Sequence, residues 1–94
     1  MNSHNLITLD TLPVGGCGII TGLKNSGEML RRLEDLGFIE GTEVSTYIKS
    51  PFGDPTAYLI RNTVIALRES DAQKIEVETV AENRKQTGAT GDEA

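Results

Sequence analysis

The 94-residue sequence holds one cysteine, Cys17, and one histidine, His4. A lone cysteine closes no internal disulfide, so the fold needs no oxidising compartment. Neither residue has a second ligand at metal-binding spacing, and a dedicated metal site takes several convergent His, Cys or carboxylate groups. A cysteine–histidine nucleophilic pair lacks anything to orient it, and no other constellation that carries catalysis is present. The sequence therefore reads as having no catalytic and no metal-ligating residues. Positive charge is also scarce: nine Lys and Arg stand against fourteen Asp and Glu, a formal charge of −5. Such a chain suits neither nucleic-acid phosphates nor an anionic membrane surface. No apolar run approaches the ~20 residues that span a bilayer. Residues 1–5 carry no basic segment leading into an apolar stretch, so no signal peptide is expected. A soluble cytoplasmic protein that acts through partners is the default.

What the sequence does have is turn chemistry. Ten glycines and three prolines in so short a chain predict many tight turns and one small domain, mainly β. Residues 1–5 are expected to be frayed, and Leu6 to Leu12 shows apolar positions without a strand period. The turn Thr11-Leu-Pro-Val-Gly-Gly16 then delivers the chain into a first strand, Cys17 to Leu23. Gly18, Ile20 and Gly22 share one face of that strand, which predicts close approach of another backbone or strong curvature. Asn25 or Ser26 is placed to cap a helix. Met29, Leu30, Leu33 and Leu36 form its apolar stripe, and Gly37 stands where a helix-ending glycine belongs. Gly41 supports a second turn.

Thr42 to Ser50 alternates, with Val44, Thr46 and Ile48 on one face and Glu43, Ser45, Tyr47 and Lys49 on the other. Pro51-Phe-Gly-Asp-Pro55 is a stiff loop in which Gly53 permits positive φ and Asp54 can bond nearby backbone donors. A hairpin is expected across Arg61-Asn62-Thr63, with Asn62 taking a left-handed conformation. Thr56, Tyr58, Ile60, Ile65 and Leu67 point inward, and Ala57, Leu59, Val64, Ala66 and Arg68 outward. Ser70 is placed to cap a short turn to Gln73. Lys74 to Val80 alternates as a last strand, its Glu76 and Glu78 guarding an edge against aggregation. Residues 81–94 are polar and read as a disordered tail beyond a domain of residues 1–80. The expected architecture is a small five-stranded barrel with one α-helix between its first and second strands.

The order Gly18 to Leu23, Arg32 to Gly41, Gly53-Asp-Pro55, Ile65-Ala-Leu-Arg68, Asp71-Ala72 and Ile75 to Val77 resembles the FeoA family over about residues 6–80. The resemblance implies an SH3-like barrel. It also implies a role in bacterial ferrous iron transport by contact with FeoB, a membrane permease with a cytoplasmic GTP-binding part. No enzymatic reaction and no resident cofactor are implied, although transient contact with Fe(II) or another transition metal is compatible. A similar barrel ends the diphtheria-toxin-repressor type of metal-dependent regulator, which makes a stand-alone metal or ligand sensor the alternative. No DNA-binding helices precede the barrel in this sequence. Asn62 stands where glycine is expected.

The candidate partner-binding residues are Arg31, Arg32, Tyr47, Phe52, Leu59 and Val64. The arginines can dock an acidic surface or pair locally with Glu28, Glu34 or Asp35. Tyr47, Leu59 and Val64 are outward-facing apolar residues that neighbouring strands could gather, or that the helix or N-terminal segment could cover. Phe52 either anchors a partner from its stiff loop or caps the end of the barrel. Gly37, Gly41, Gly53, Asp54 and Pro55 are assigned to turns.

Overall fold

A computed structural model of the chain describes residues 4–80; the expected tail, residues 81–94, lies outside the described residues. Six strands form one antiparallel sheet: β1 His4–Thr8, β2 Cys17–Leu23, β3 Glu43–Lys49, β4 Thr56–Ile60, β5 Thr63–Leu67 and β6 Ile75–Val80. Two helices interrupt them, α1 Gly27–Leu36 and the single turn α2 Glu69–Ala72. The order across the sheet is β1-β6-β2-β3-β4-β5, so β1 and β5 are its two edges.

This is one strand more than expected. His4 to Thr8 pairs with β6 in register His4↔Val80 through Thr8↔Glu76. No alternation announces β1, because the chain leaves it after five residues for a short 3-10 turn over Leu9–Thr11, which turns Leu9 into the core. The pairing also makes β6 an interior strand, so Glu76 and Glu78 guard no edge. Glu76 instead accepts a hydrogen bond at Oε1 from the Thr21 hydroxyl, 3.1 Å away.

The core collects Leu9, Ile20, Phe38, Val44, Tyr58, Ile60, Ile75 and Val77, drawn from one face of the sheet and the segments that close over it. Gly18 is needed there: a Cβ at this position would lie 3.2 Å from the Val77 side chain. Near Gly22 the β2–β6 ladder slips by one residue, which adds twist and bend. Both expectations for that glycine face, close approach and curvature, are met at different residues.

Helix α1 starts after Ser26, whose side chain makes no capping bond. Asn25 is buried and donates through Nδ2 to the Asp71 carbonyl, tying the helix start to α2. The helix ends as its glycine predicts. Gly37 has φ 109°, its N–H reaches the Glu34 carbonyl at 3.0 Å, and the Phe38 N–H reaches the Leu33 carbonyl at 2.9 Å. Leu33 and Phe38 then pack together in the core, the contact that completes a Schellman end. The start of α2 differs from expectation: its N-cap is Arg68, not Ser70.

Thr46 is the pivot of the sheet. Pro13 to Gly16 is a turn with Gly15 at φ 88° and a Gly16 N–H to Pro13 carbonyl bond of 2.8 Å. That turn presses against β3. Gly15 donates to the Thr46 carbonyl (2.8 Å), Thr46 N–H donates to the Gly16 carbonyl (3.1 Å), and the Thr46 hydroxyl donates to the Leu12 carbonyl (3.0 Å). The side chain is only 2% exposed, so this bond satisfies a hydroxyl that water cannot reach. The β3–β4 register then slips between Thr46 and Ile48.

Three outcomes follow from these contacts. Thr46→Val keeps the shape and strands the buried Leu12 carbonyl, so urea denaturation should show a loss of about 1–3 kcal/mol. Gly37→Ala should cost about 1–2 kcal/mol in the same assay, because φ 109° is strained for any L side chain and the new Cβ would lie 2.9 Å from Arg61 Cδ. Burial, helped by the carboxylates of Asp10, Asp54 and Glu69, pushes the Tyr58 hydroxyl up to about 12 from its ordinary 10.0, against a hydrogen bond with Thr56. Below about pH 10 the ring is neutral both folded and unfolded, so the stabilisation is complete there. Between about 10 and 12 the unfolded chain alone gives up the proton, and stability falls as pH rises, by up to about 1.4 kcal/mol per unit. Tyr58→Phe should remove that part of the alkaline slope in denaturation curves measured across the window.

Candidate functional site

The outer face of β3, β4 and β5 gathers apolar side chains by register. Leu59 lies directly opposite Val64, and Ser45 lies opposite Leu59 on the other side. One step along, Ile48, Ala57 and Ala66 form a second row. Side chains opposite each other in an antiparallel pair share a face, so the two rows make one surface. Tyr47 sits at the register slip between them. Tyr47 and Ile48 are each 55% exposed, Leu59 is 36% exposed, and Val64 is more than half exposed.

The expected trio of Tyr47, Leu59 and Val64 is thus brought to one face, and neither the helix nor the N-terminal segment buries it. Ile48 is a correction. Alternation places it inward with Val44 and Thr46, yet the slip after Thr46 turns it outward to pair with Ala57. Nothing in the local sequence signals this, because the partner that fixes Thr46 lies 34 residues away.

Phe52 rides on the loop that leaves this sheet beyond the Lys49–Thr56 pair. Pro51 and Phe52 are the two central residues of a turn closed by a Gly53 N–H to Ser50 carbonyl bond of 2.8 Å. Gly53 follows at φ 89°, and the Asp54–Pro55 peptide is cis. Asp54 Oδ1 accepts from the Glu69 N–H at 2.9 Å and so caps the first turn of α2 from a distant loop. The loop is held at both ends, and Phe52 projects from it 93% exposed. It does not cap the barrel.

The two helix arginines stand apart from this face. Arg31 and Arg32 are exposed on α1, and Arg32 lines a groove between α1 and β5. The local pairs with Glu28, Glu34 or Asp35 do not form: among the described residues neither arginine is held in an ion pair. Gly41, at φ 91°, makes the turn into β3 as assigned.

Among the described residues no group of three or more His, Cys, Asp or Glu converges as a metal site. Cys17 is half-buried at the start of β2. Among the described residues no helix is long and apolar enough to cross a membrane. Exposed apolar faces and projecting aromatic side chains of this kind are common features of protein–protein contact surfaces.

Comparison with known proteins gives the family. The FeoA domain model matches residues 7–79. A curated relative from Porphyromonas gingivalis (strain ATCC BAA-308 / W83) is an Fe(2+) transport protein A/Fe(2+) transporter FeoB fusion protein, 31% identical over 84 residues. The match takes in 89% of this chain and 10% of that protein, so the chain spans about a tenth of the length of the curated relative. The solution structure of iron(II) transport protein A from Clostridium thermocellum is 38% identical, with a TM-score of 0.75 over 79% of this chain and 46% of that one. A crystal structure of Stenotrophomonas maltophilia FeoA complexed with zinc, described as a prokaryotic SH3 domain protein, is 32% identical, with a TM-score of 0.68 over 76% of this chain and 88% of that one. Sequence and fold therefore agree, and the chain belongs to the FeoA domain family.

Proposed function

We propose that this protein is a cytoplasmic accessory factor of ferrous iron transport. It works by docking against the cytoplasmic part of a FeoB-like permease, without catalysis and without a resident metal. The observation that carries this reading is the relative in which an Fe(2+) transport protein A and the FeoB transporter are one polypeptide. A fusion holds its two parts at high effective concentration, in the millimolar range for short linkers. Where no tether holds the two parts together, contact rests on surface affinity. The outer face of Tyr47, Ile48, Leu59 and Val64, with Phe52 beside it, is the surface that supplies it.

The mode of action follows from linkage. Docking changes transport only if the protein binds one conformational or oligomeric state of the permease more tightly than another. A rigid loop and a flat sheet face suit such discrimination, because little entropy is lost in ordering them. Iron passes as cargo of the permease, and this chain's contribution is contact.

The test is Fe(II) uptake by the purified permease in proteoliposomes, with and without the protein, alongside a direct binding measurement. The protein should bind and change the uptake rate. Phe52→Ala should leave folding stability within about 0.5 kcal/mol, as expected for an exposed side chain. It should weaken binding by about tenfold or more, as for an aromatic anchor. Identical uptake with and without the protein, together with no measurable association, would defeat the proposal.

A further inference from the structure

Among the described residues no strand pairs with the outer edge of β5, and the hairpin geometry says which groups that edge offers. Arg61 and Asn62 form a two-residue turn, both at positive φ (51° and 64°), between Ile60 and Thr63. In such a hairpin the flanking pair is hydrogen-bonded and the pairs alternate from there. Ile60–Thr63, Tyr58–Ile65 and Thr56–Leu67 bond across the ladder, while Leu59–Val64 and Ala57–Ala66 do not. The N–H and C=O groups of Val64 and Ala66 therefore point away from β4. Among the described residues no hydrogen bond closes on them. The strand carries none of the usual edge protections: no lysine, no proline, no register slip.

Beside this edge lies the groove of about 430 Å³ between α1 and β5. Met29 and Leu36 give it an apolar wall, and of the ten helical residues only Leu33 is buried, so α1 stands off the strand. Arg32 and Arg68 line the groove with Asp71 as the one carboxylate. Among the described residues neither arginine is in an ion pair. In a chain of charge −5, two uncommitted cations at an open strand edge are a local reversal of sign.

We infer that the β5 edge and its groove receive an extended segment of a partner protein as an added antiparallel or parallel strand, a segment that carries apolar and acidic side chains in turn along its groove-facing side, at every second residue. Backbone groups at Val64 and Ala66 repeat with the spacing of a strand, which fits added-strand recognition. Met29 and Leu36 take the apolar side chains, and Arg32 and Arg68 take the carboxylates through charge-assisted bonds. A second copy of β5 fits less well, because Thr63 to Leu67 offers the arginines no carboxylate. The inference rests on the contact reading above only for the kind of partner, a protein.

The test uses the intact, ¹⁵N-labelled chain and no permease. The probe is a blocked octapeptide in which valine and glutamate take turns at every second position and threonine fills the others, so that one face of the strand carries both. Expected are shifts and slowed exchange at the Val64 and Ala66 amides, and no response to the matching valine–lysine octapeptide. The double variant Arg32→Glu/Arg68→Glu should weaken the acidic peptide at least tenfold and admit the basic one. Ala66→Pro, which removes one outward N–H, should abolish binding; if that variant does not fold, the arginine variant decides. The inference is overturned if the acidic peptide leaves both amides unprotected, or if the two peptides protect them equally. It is also overturned if the edge is already occupied by a second copy, seen as protection that grows with protein concentration, or by the chain's own residues 81–94, seen as competition from that peptide. Each of these results leaves the permease reading standing, since uptake and Phe52→Ala test it separately.

Discussion

The arrangement of this sheet depends on how Thr46 is tied to the segment that precedes β2. Three hydrogen bonds join it to Leu12, Gly15 and Gly16, and one of them satisfies a hydroxyl inside the core. A buried hydroxyl left unpaired costs a sizeable part of a small domain's stability, so this contact is strongly specified. It ends the β2–β3 ladder at a fixed point. The slip that follows lets β3 present Tyr47 and Ile48 together to solvent, where strict alternation would bury one of them. The apolar outer face is in this sense a by-product of a polar contact in the interior.

A second group of contacts ties the loops to distant elements. Gly37 ends α1 with a left-handed residue, and the absence of a side chain there leaves room for Arg61 from the β4–β5 turn. A cation over a helix C-terminus is also favourable to the helix dipole. Asp54 reaches from the β3–β4 loop to the first N–H of α2. Each polar group does a job that sequence-local capping would otherwise do, and the result is that the loop bearing Phe52 is fixed without Phe52 being buried. Recognition surfaces gain from such preorganisation, because less freedom is lost on binding.

The division of labour in the molecule is then plain. One side of the sheet holds the core, the other side of β3–β5 leaves apolar side chains exposed, and the β5 edge presents backbone groups beside Arg32 and Arg68. One face of the hairpin packs into the core while the other leaves Leu59 and Val64 exposed, which a strand's period of two makes possible. Carboxylates outnumber the bases overall, yet Arg32 and Arg68 come together at the groove.

Much of this was legible in the residues alone. The inward and outward sets of β4 and β5 follow from alternation, because both strands are regular and joined by a tight turn. The end of α1 follows from Gly37, since only glycine takes that backbone conformation at no steric cost. The ordered motifs from Gly18 to Val77 placed the chain in its family. What the sequence left open depends on contacts between residues far apart along the chain. Strand β1 exists because β6 offers it an edge. Ile48 faces out because Thr46 is held by Leu12. Phe52 is exposed because Asp54 and Ser50 anchor its loop elsewhere. The open edge of β5 is defined by the order of the strands. Local periodicity reports which side of an element is apolar; only the tertiary structure decides what that side meets, because the partners that fix register, bulges and edges come from other parts of the chain.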